Sequence, residues 1–112
     1  MVIIAFAPKS SKILPNIFCR KFKHCAVLVR NKHGFTMYQF SSHKNITEML
    51  IRTRDIRILG SYGWFFVYLP CDIKQNFNPR AAWTCVDMAK RAIGMYAPFV
   101  QTPDALYKKL CN

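Results

Sequence analysis

The chain has no run of eighteen or more apolar residues, so no segment reads as a transmembrane helix. It has no C-x-x-C pair and no glycine-rich phosphate loop, which removes the common zinc-ribbon, dithiol-redox and nucleotide-cradle readings. Neither an internal repeat nor a low-complexity linker interrupts its 112 residues, a length that makes one domain with a substantial core. The apolar start, Met1 to Ala7, has no basic flank and soon meets Pro8 and Lys9, so it reads as a first strand rather than a signal peptide. Acid is scarce. Five Asp and Glu stand against 17 Lys and Arg, a formal charge of +12 that suits nucleic acid, anionic lipid or an acidic protein surface as a neighbour.

The positive charge is spread from Lys9 to Lys109, with denser patches at Arg20-Lys21-Phe22-Lys23 and Arg52-Thr53-Arg54, a distribution typical of a solvated surface. Five cysteines, Cys19, Cys25, Cys71, Cys85 and Cys111, cannot all pair within one chain, and their irregular spacing points to a reducing, cytoplasmic setting. Cys19, His24 and Cys25 are the nearest approach to a metal cluster. His24 and Cys25 are adjacent on a strand and point to opposite faces, so neither a metal nor another cofactor is expected. The run Tyr62, Trp64, Phe65, Phe66, Tyr68 offers stacking faces for single-stranded nucleic acid, but its alternation reads first as sheet packing.

Taken in order, residues 2–7 read as a buried strand and Pro8 to Pro15 as a loop that tucks Ile13 and Leu14 under the sheet. Phe22 to Arg30 and Phe35 to Ser41 form a hairpin about the turn Asn31-Lys32-His33-Gly34; His33, in that turn, and His43, in the loop after the hairpin, are expected to be exposed. Asn45 to Ile51 is expected as a short helix. Ile56 to Leu59 and Trp64 to Leu69 are expected as two strands joined through Gly60-Ser61-Tyr62-Gly63. A polar loop from Asp72 to Pro79 leads to a helix from Cys85 to Ile93, capped by Thr84 and Asp87 and ended by Gly94 in the left-handed C′ position. Asn78-Pro79 offers a rival start, which would put Cys85 in the second turn, where the dipole benefit has largely faded. Thr102-Pro103-Asp104 begins a last helix through Leu110, packed by Ala105, Leu106 and Leu110.

Cys85 is the residue with the clearest chemistry. At the start of a helix a thiol meets N–H groups and the positive end of the dipole, which favour the thiolate. A cysteine hydrolase also needs an imidazole, a group that orients it, and N–H donors for the oxyanion. His24 is the candidate base and the Cys85 amide one oxyanion donor. Pairing Arg30 with Phe35 puts Ser41 opposite His24, with Gln39 next toward the turn on the same face. Gln39 is therefore the first candidate to orient His24, and Ser41 the second. Against this stands the plain reading that Cys85 and His24 are ordinary core residues. Asp55 and Asp87 are isolated carboxylates with no acid–base partner in sequence.

Three segments carry a resemblance: His24-Cys25-Ala26-Val27-Leu28-Val29, then Trp83-Thr84-Cys85-Val86-Asp87 through Ala92-Ile93-Gly94, then Gln101-Thr102-Pro103-Asp104-Ala105-Leu106-Tyr107. Across residues 22–110 the chain resembles the permuted papain-like (NlpC/P60-type) thiol hydrolases, particularly their small phage and bacterial members, in which the histidine strand precedes the cysteine helix. The resemblance implies an α+β fold, an antiparallel sheet of about four to six strands packed against the cysteine helix. It implies a peptidase or amidase acting on a peptide-like amide such as a cell-wall crosslink, and a cytoplasmic or virion-associated protein with Cys85, His24 and Gln39 at its site. Where relatives often carry a histidine or an acid as third residue, this chain offers Gln39 or Ser41, and an amide holds an imidazole without stabilising its charge. The alternative is a non-enzymatic basic module that binds nucleic acid or packs within a larger assembly such as a virion.

Overall fold

A strand whose residues are apolar throughout must be covered on both faces, and Val2 to Ala7 is such a strand: each of its six residues is buried. In the computed structural model, which describes residues 1–8, 24–40 and 46–111, β1 (Val2–Ala7) lies inside the sheet, between β2 (His24–Asn31) and β5 (Phe65–Leu69). With β3 (Gly34–Phe40) and β4 (Ile46–Ile51) these make a five-stranded antiparallel sheet of order β4-β3-β2-β1-β5. The β2–β3 ladder includes the pair Arg30 and Phe35, the register expected from the turn. Gly34 closes that turn at φ +140°, where a Cβ would come within 2.5 Å of the Ile51 carbonyl oxygen, so only glycine fits between β3 and the end of β4.

Helices cover both faces. On one, Val2, Ile4, Phe6, Cys25 and Val27 pack beneath α2 (Cys85–Ile93), through Val86, Met88, Ala89 and Ala92, and beneath Leu106 of α3 (Pro103–Cys111). On the other, Ile3, Ala5, Ala26, Leu28 and Met37 meet Ile56 and Leu59 of α1 (Thr53–Ser61). The chain is thus α+β, with an antiparallel sheet against the cysteine-bearing helix. The connection between α2 and α3 is pinned by the largely buried Lys90, whose Nζ donates to the carbonyls of Ala97 (3.0 Å) and Val100 (2.8 Å). Among the described residues no helix is long and apolar enough to cross a membrane.

Two expectations are corrected. Residues 46–51 form not a helix but β4, in register with β3 from Phe40–Ile46 to Phe35–Ile51. The ladder hydrogen bonds along β3 outweigh a weak local helical preference in a stretch with three β-branched residues. Residues 56–59 form not a strand but part of α1, started by the Asp55 carboxylate, which accepts from the Arg52 N–H at 2.8 Å. Ile56 and Leu59, three apart, share the face turned to the sheet, while Ile58 is 53% exposed. Gly60 to Gly63 therefore ends a helix instead of joining two strands: the Tyr62 and Trp64 amides donate to the Leu59 carbonyl at 3.0 and 3.2 Å. The loop with Ile13 and Leu14, together with Cys19, Ser41 and His43, lies outside the described residues.

Candidate active site

The helix that carries Cys85 starts where the later of the two sequence readings puts it. Thr84 is the N-cap, its Oγ1 accepting from the Asp87 amide at 3.0 Å. The Asp87 carboxylate reaches back one residue further than a standard capping box and accepts from the Trp83 amide at 3.0 Å, and it also accepts from Arg91 Nε at 3.1 Å. Asn78 and Pro79 instead form a separate 3₁₀ turn, Pro79–Ala81. Gly94 ends the helix at φ +70°. Cys85 is consequently the first residue of α2, half-buried, with its own amide among the helix's first four donors, which have no carbonyl one turn back to bond.

Its thiol is held well below the ordinary range. The largest cause is a hydrogen bond from the Cys25 side chain; a hydrogen bond from His24, the imidazole's positive charge and a further bond from the Cys25 backbone add to it, while burial works the other way. Cys85 thus sits over the first peptide of β2. From there it meets both Cys25, buried in the core under α2, and His24, although the two project to opposite faces of the strand. The sequence singled out Cys25 only as a poor metal ligand. Its role beside Cys85 follows from α2 packing on the Cys25 face, which local sequence does not encode.

His24 is half-buried and fixed on two sides. Its Nε2 lies 3.3 Å from Oε1 of Gln39, and its ring stands edge-on to Trp64 with centroids 6.5 Å apart. The β2–β3 ladder reaches Val27–Tyr38; continued by one pair it sets Gln39 opposite Ala26 and diagonal to His24, within side-chain reach. A carbonyl oxygen only accepts, so this contact calls for a proton on Nε2. The structure therefore brings Cys85, His24 and Gln39 together. Trp64 joins them, a residue that sequence reasoning assigned to packing or stacking.

Because Cys85 ionises more easily in the folded chain than in the unfolded one, its thiolate stabilises the fold fully above the ordinary thiol value of about 8.5. That contribution is lost as pH falls through the depressed folded value. Replacing Cys25 with alanine removes the largest stabiliser. We expect the midpoint of Cys85 alkylation by iodoacetamide, followed residue by residue by peptide mass mapping, to move to higher pH. An unchanged midpoint would separate the two thiols.

The other aromatics divide. Phe66 stacks on Trp64 at 6.5 Å, and Phe65 meets Tyr107 edge-on at the same distance. Tyr62 and Tyr68 are largely exposed and lie apart on the turn and on β5. Comparison with known proteins found no matching family model, no similar curated protein and no similar solved structure.

Proposed function

We propose that this chain is a thiol hydrolase of the permuted papain-like kind, cleaving a peptide-like amide or an ester. The observation that carries the proposal is the grouping of Cys85, His24 and Gln39: the Cys85 thiol is depressed by Cys25 and His24, and the His24 imidazole Nε2 lies 3.3 Å from Gln39 Oε1. In this reading the Cys85 thiolate attacks the substrate carbonyl carbon, forming a C–S bond and a tetrahedral oxyanion that the Cys85 amide stabilises. Collapse breaks the C–N or C–O bond, and the leaving amine or alcohol takes its proton from His24. Water then adds to the thioester, giving a proton to His24, and the thiolate departs with release of the carboxylic acid. Gln39 keeps the ring in place throughout. A cell-wall peptide is one substrate of suitable chemistry, and a virion one setting for such an activity.

The test is labelling by a broad electrophilic hydrolase probe at neutral pH. Wild-type protein should be modified at Cys85 in preference to Cys71 and Cys111, although those two are exposed, and Cys85→Ala should lose the fast phase altogether. Equal labelling of both proteins would reject the assignment.

One observation favours a second reading, a basic module that binds nucleic acid. At the hairpin end of the sheet Arg30, Lys32, His33 and Arg57 line a cleft of about 610 Å³ beside Tyr68. Nucleic-acid affinity that falls steeply with salt and ignores Cys85→Ala would support it.

A further inference from the structure

Beside His24, on the α1 side of the sheet, lies a pocket of about 260 Å³ walled by Met37, Met49, Ile51, Ile58, Leu59 and Trp64. We infer that this pocket seats one large apolar group of the substrate whose carbonyl is presented to Cys85, and so sets specificity; the inference rests on the hydrolase reading above.

Four observations carry it. The first is contiguity with the candidate base: Gln39 lines the pocket and holds His24 Nε2 at 3.3 Å, and Trp64 lines it and stands edge-on to the same ring. A group lodged there lies one side chain from the imidazole. The second is size. A cavity of about 150 Å³ accommodates a benzene ring, and pockets for whole drug-sized ligands begin at about 300 Å³. At about 260 Å³ this pocket suits a single aromatic or branched aliphatic group, not an entire ligand.

The third is polarity. Asp55 is the one charged residue of the lining, and its carboxylate already accepts from the Arg52 amide at 2.8 Å at the start of α1; Gln39 Oε1 is engaged by His24. The other six lining residues are apolar, so the wall as a whole favours an apolar ligand. The fourth is access with adaptability. Met49 and Ile58 on the rim are 45% and 53% exposed, while the wall behind is rigid where Trp64 stacks on Phe66. Two methionines in the lining, Met37 and Met49, adjust to groups of different shape.

An apolar group of this size can belong to a peptide, as the side chain beside the scissile bond, or to a short fatty acyl chain. Hydrolysis of p-nitrophenyl esters separates these sources: acetyl, hexanoyl and dodecanoyl esters form one arm, N-acetyl-phenylalanyl and N-acetyl-glycyl esters the other. We expect kcat/KM for the phenylalanyl ester to exceed that for the glycyl ester by about 10- to 100-fold. The hexanoyl ester should exceed acetyl, and dodecanoyl should gain nothing further, since the pocket is filled first. Met49→Asp, or Ile58→Asp should the first variant fold poorly, makes the rim polar and should collapse the phenylalanyl preference to within about 3-fold. Leu50→Asp, on the exposed opposite side of β4, is the matched control and should keep the preference.

Binding read without chemistry completes the test. N-acetyl-phenylalaninamide added to Cys85→Ala should perturb Trp64 fluorescence, and N-acetyl-glycinamide should not; Met49→Asp in that background should abolish the response. Equal turnover of phenylalanyl and glycyl esters, or a preference untouched by both rim variants, overturns the pocket assignment and leaves the hydrolase reading standing. Absence of turnover on every ester, together with absence of Cys85 labelling, overturns the hydrolase reading, and the substrate role of the pocket with it.

Discussion

Replacing His24 with alanine should lower kcat/KM toward an activated ester by about a hundred- to ten-thousand-fold, the range over which a positioned acid–base group contributes. The loss has two sources in the geometry. His24 both hydrogen-bonds the Cys85 sulfur and, as an imidazolium, lowers its pKa electrostatically, so the variant has less thiolate at neutral pH. It also has no proton to give the departing group. The two separate by measurement. Raising the pH restores thiolate, so alkylation of Cys85 by iodoacetamide should recover in alkaline solution, whereas ester turnover should recover only in part. Gln39→Ala should give a smaller loss of the same kind, because the ring then keeps Trp64 beside it but loses the acceptor on Nε2. A His24→Ala protein with undiminished turnover would remove His24 from the chemistry and the proposed mechanism with it.

The amide in the third position tempers what to expect of the wild type. An acid there would stabilise the imidazolium directly, whereas Gln39 only orients it, and the balance falls to the neighbours of the sulfur. Here Cys25 matters, since its thiol makes the largest contribution to keeping Cys85 ionised. A thiolate whose largest stabiliser is a second thiol, with His24 after it and the Cys25 backbone last, survives in part when its ion pair to His24 is weak. Labelling of Cys85 should therefore be more robust than turnover, and the two rates are best measured together.

How far the site could be read in advance depended on how local its determinants are. Thr84, Asp87 and Gly94 act within one helix, so the bounds of α2 follow from the chain alone. The hairpin register follows from a short turn, and with it the placing of Gln39 near His24. Residues 46–51 and 56–59 were illegible for the opposite reason. Ile46 to Ile51 takes its conformation from the edge of β3, a partner its own residues do not announce. Ile56 and Ile58 alternate like a strand, yet Ile56 and Leu59 are the pair that meets the sheet. The apolar pocket is built from these two misread segments, Met49 and Ile51 from one and Ile58 and Leu59 from the other, which is why nothing in the linear pattern hinted at it. Sequence thus exposed the candidate nucleophile and base but hid the pocket proposed to choose a substrate.

The largest loss of stability should come from a residue outside the site. Phe6 is fully buried near the C-terminal end of β1, paired in register with Cys25 on one side and Phe65 on the other, with its ring edge-on to Tyr107 of α3 at 5.3 Å. Phe6→Ala should cost about 3–5 kcal/mol, the lost transfer free energy plus the cavity left beneath the helices. Against a total of about 5–15 kcal/mol for a domain, this is a large share of the stability, and the urea midpoint should fall accordingly. Phe6→Leu, which refills most of the volume, should cost under about 1.5 kcal/mol. The same pair of variants links core to site. Because Phe6 faces Cys25 across the β1–β2 ladder, a void there lets Cys25 withdraw from the Cys85 sulfur, so the alkylation midpoint should rise in whatever fraction of Phe6→Ala stays folded, and stay near the wild-type value in Phe6→Leu. A Phe6→Ala protein that loses stability but keeps the Cys85 midpoint would mean that β2 and α2 hold the two thiols together without help from β1.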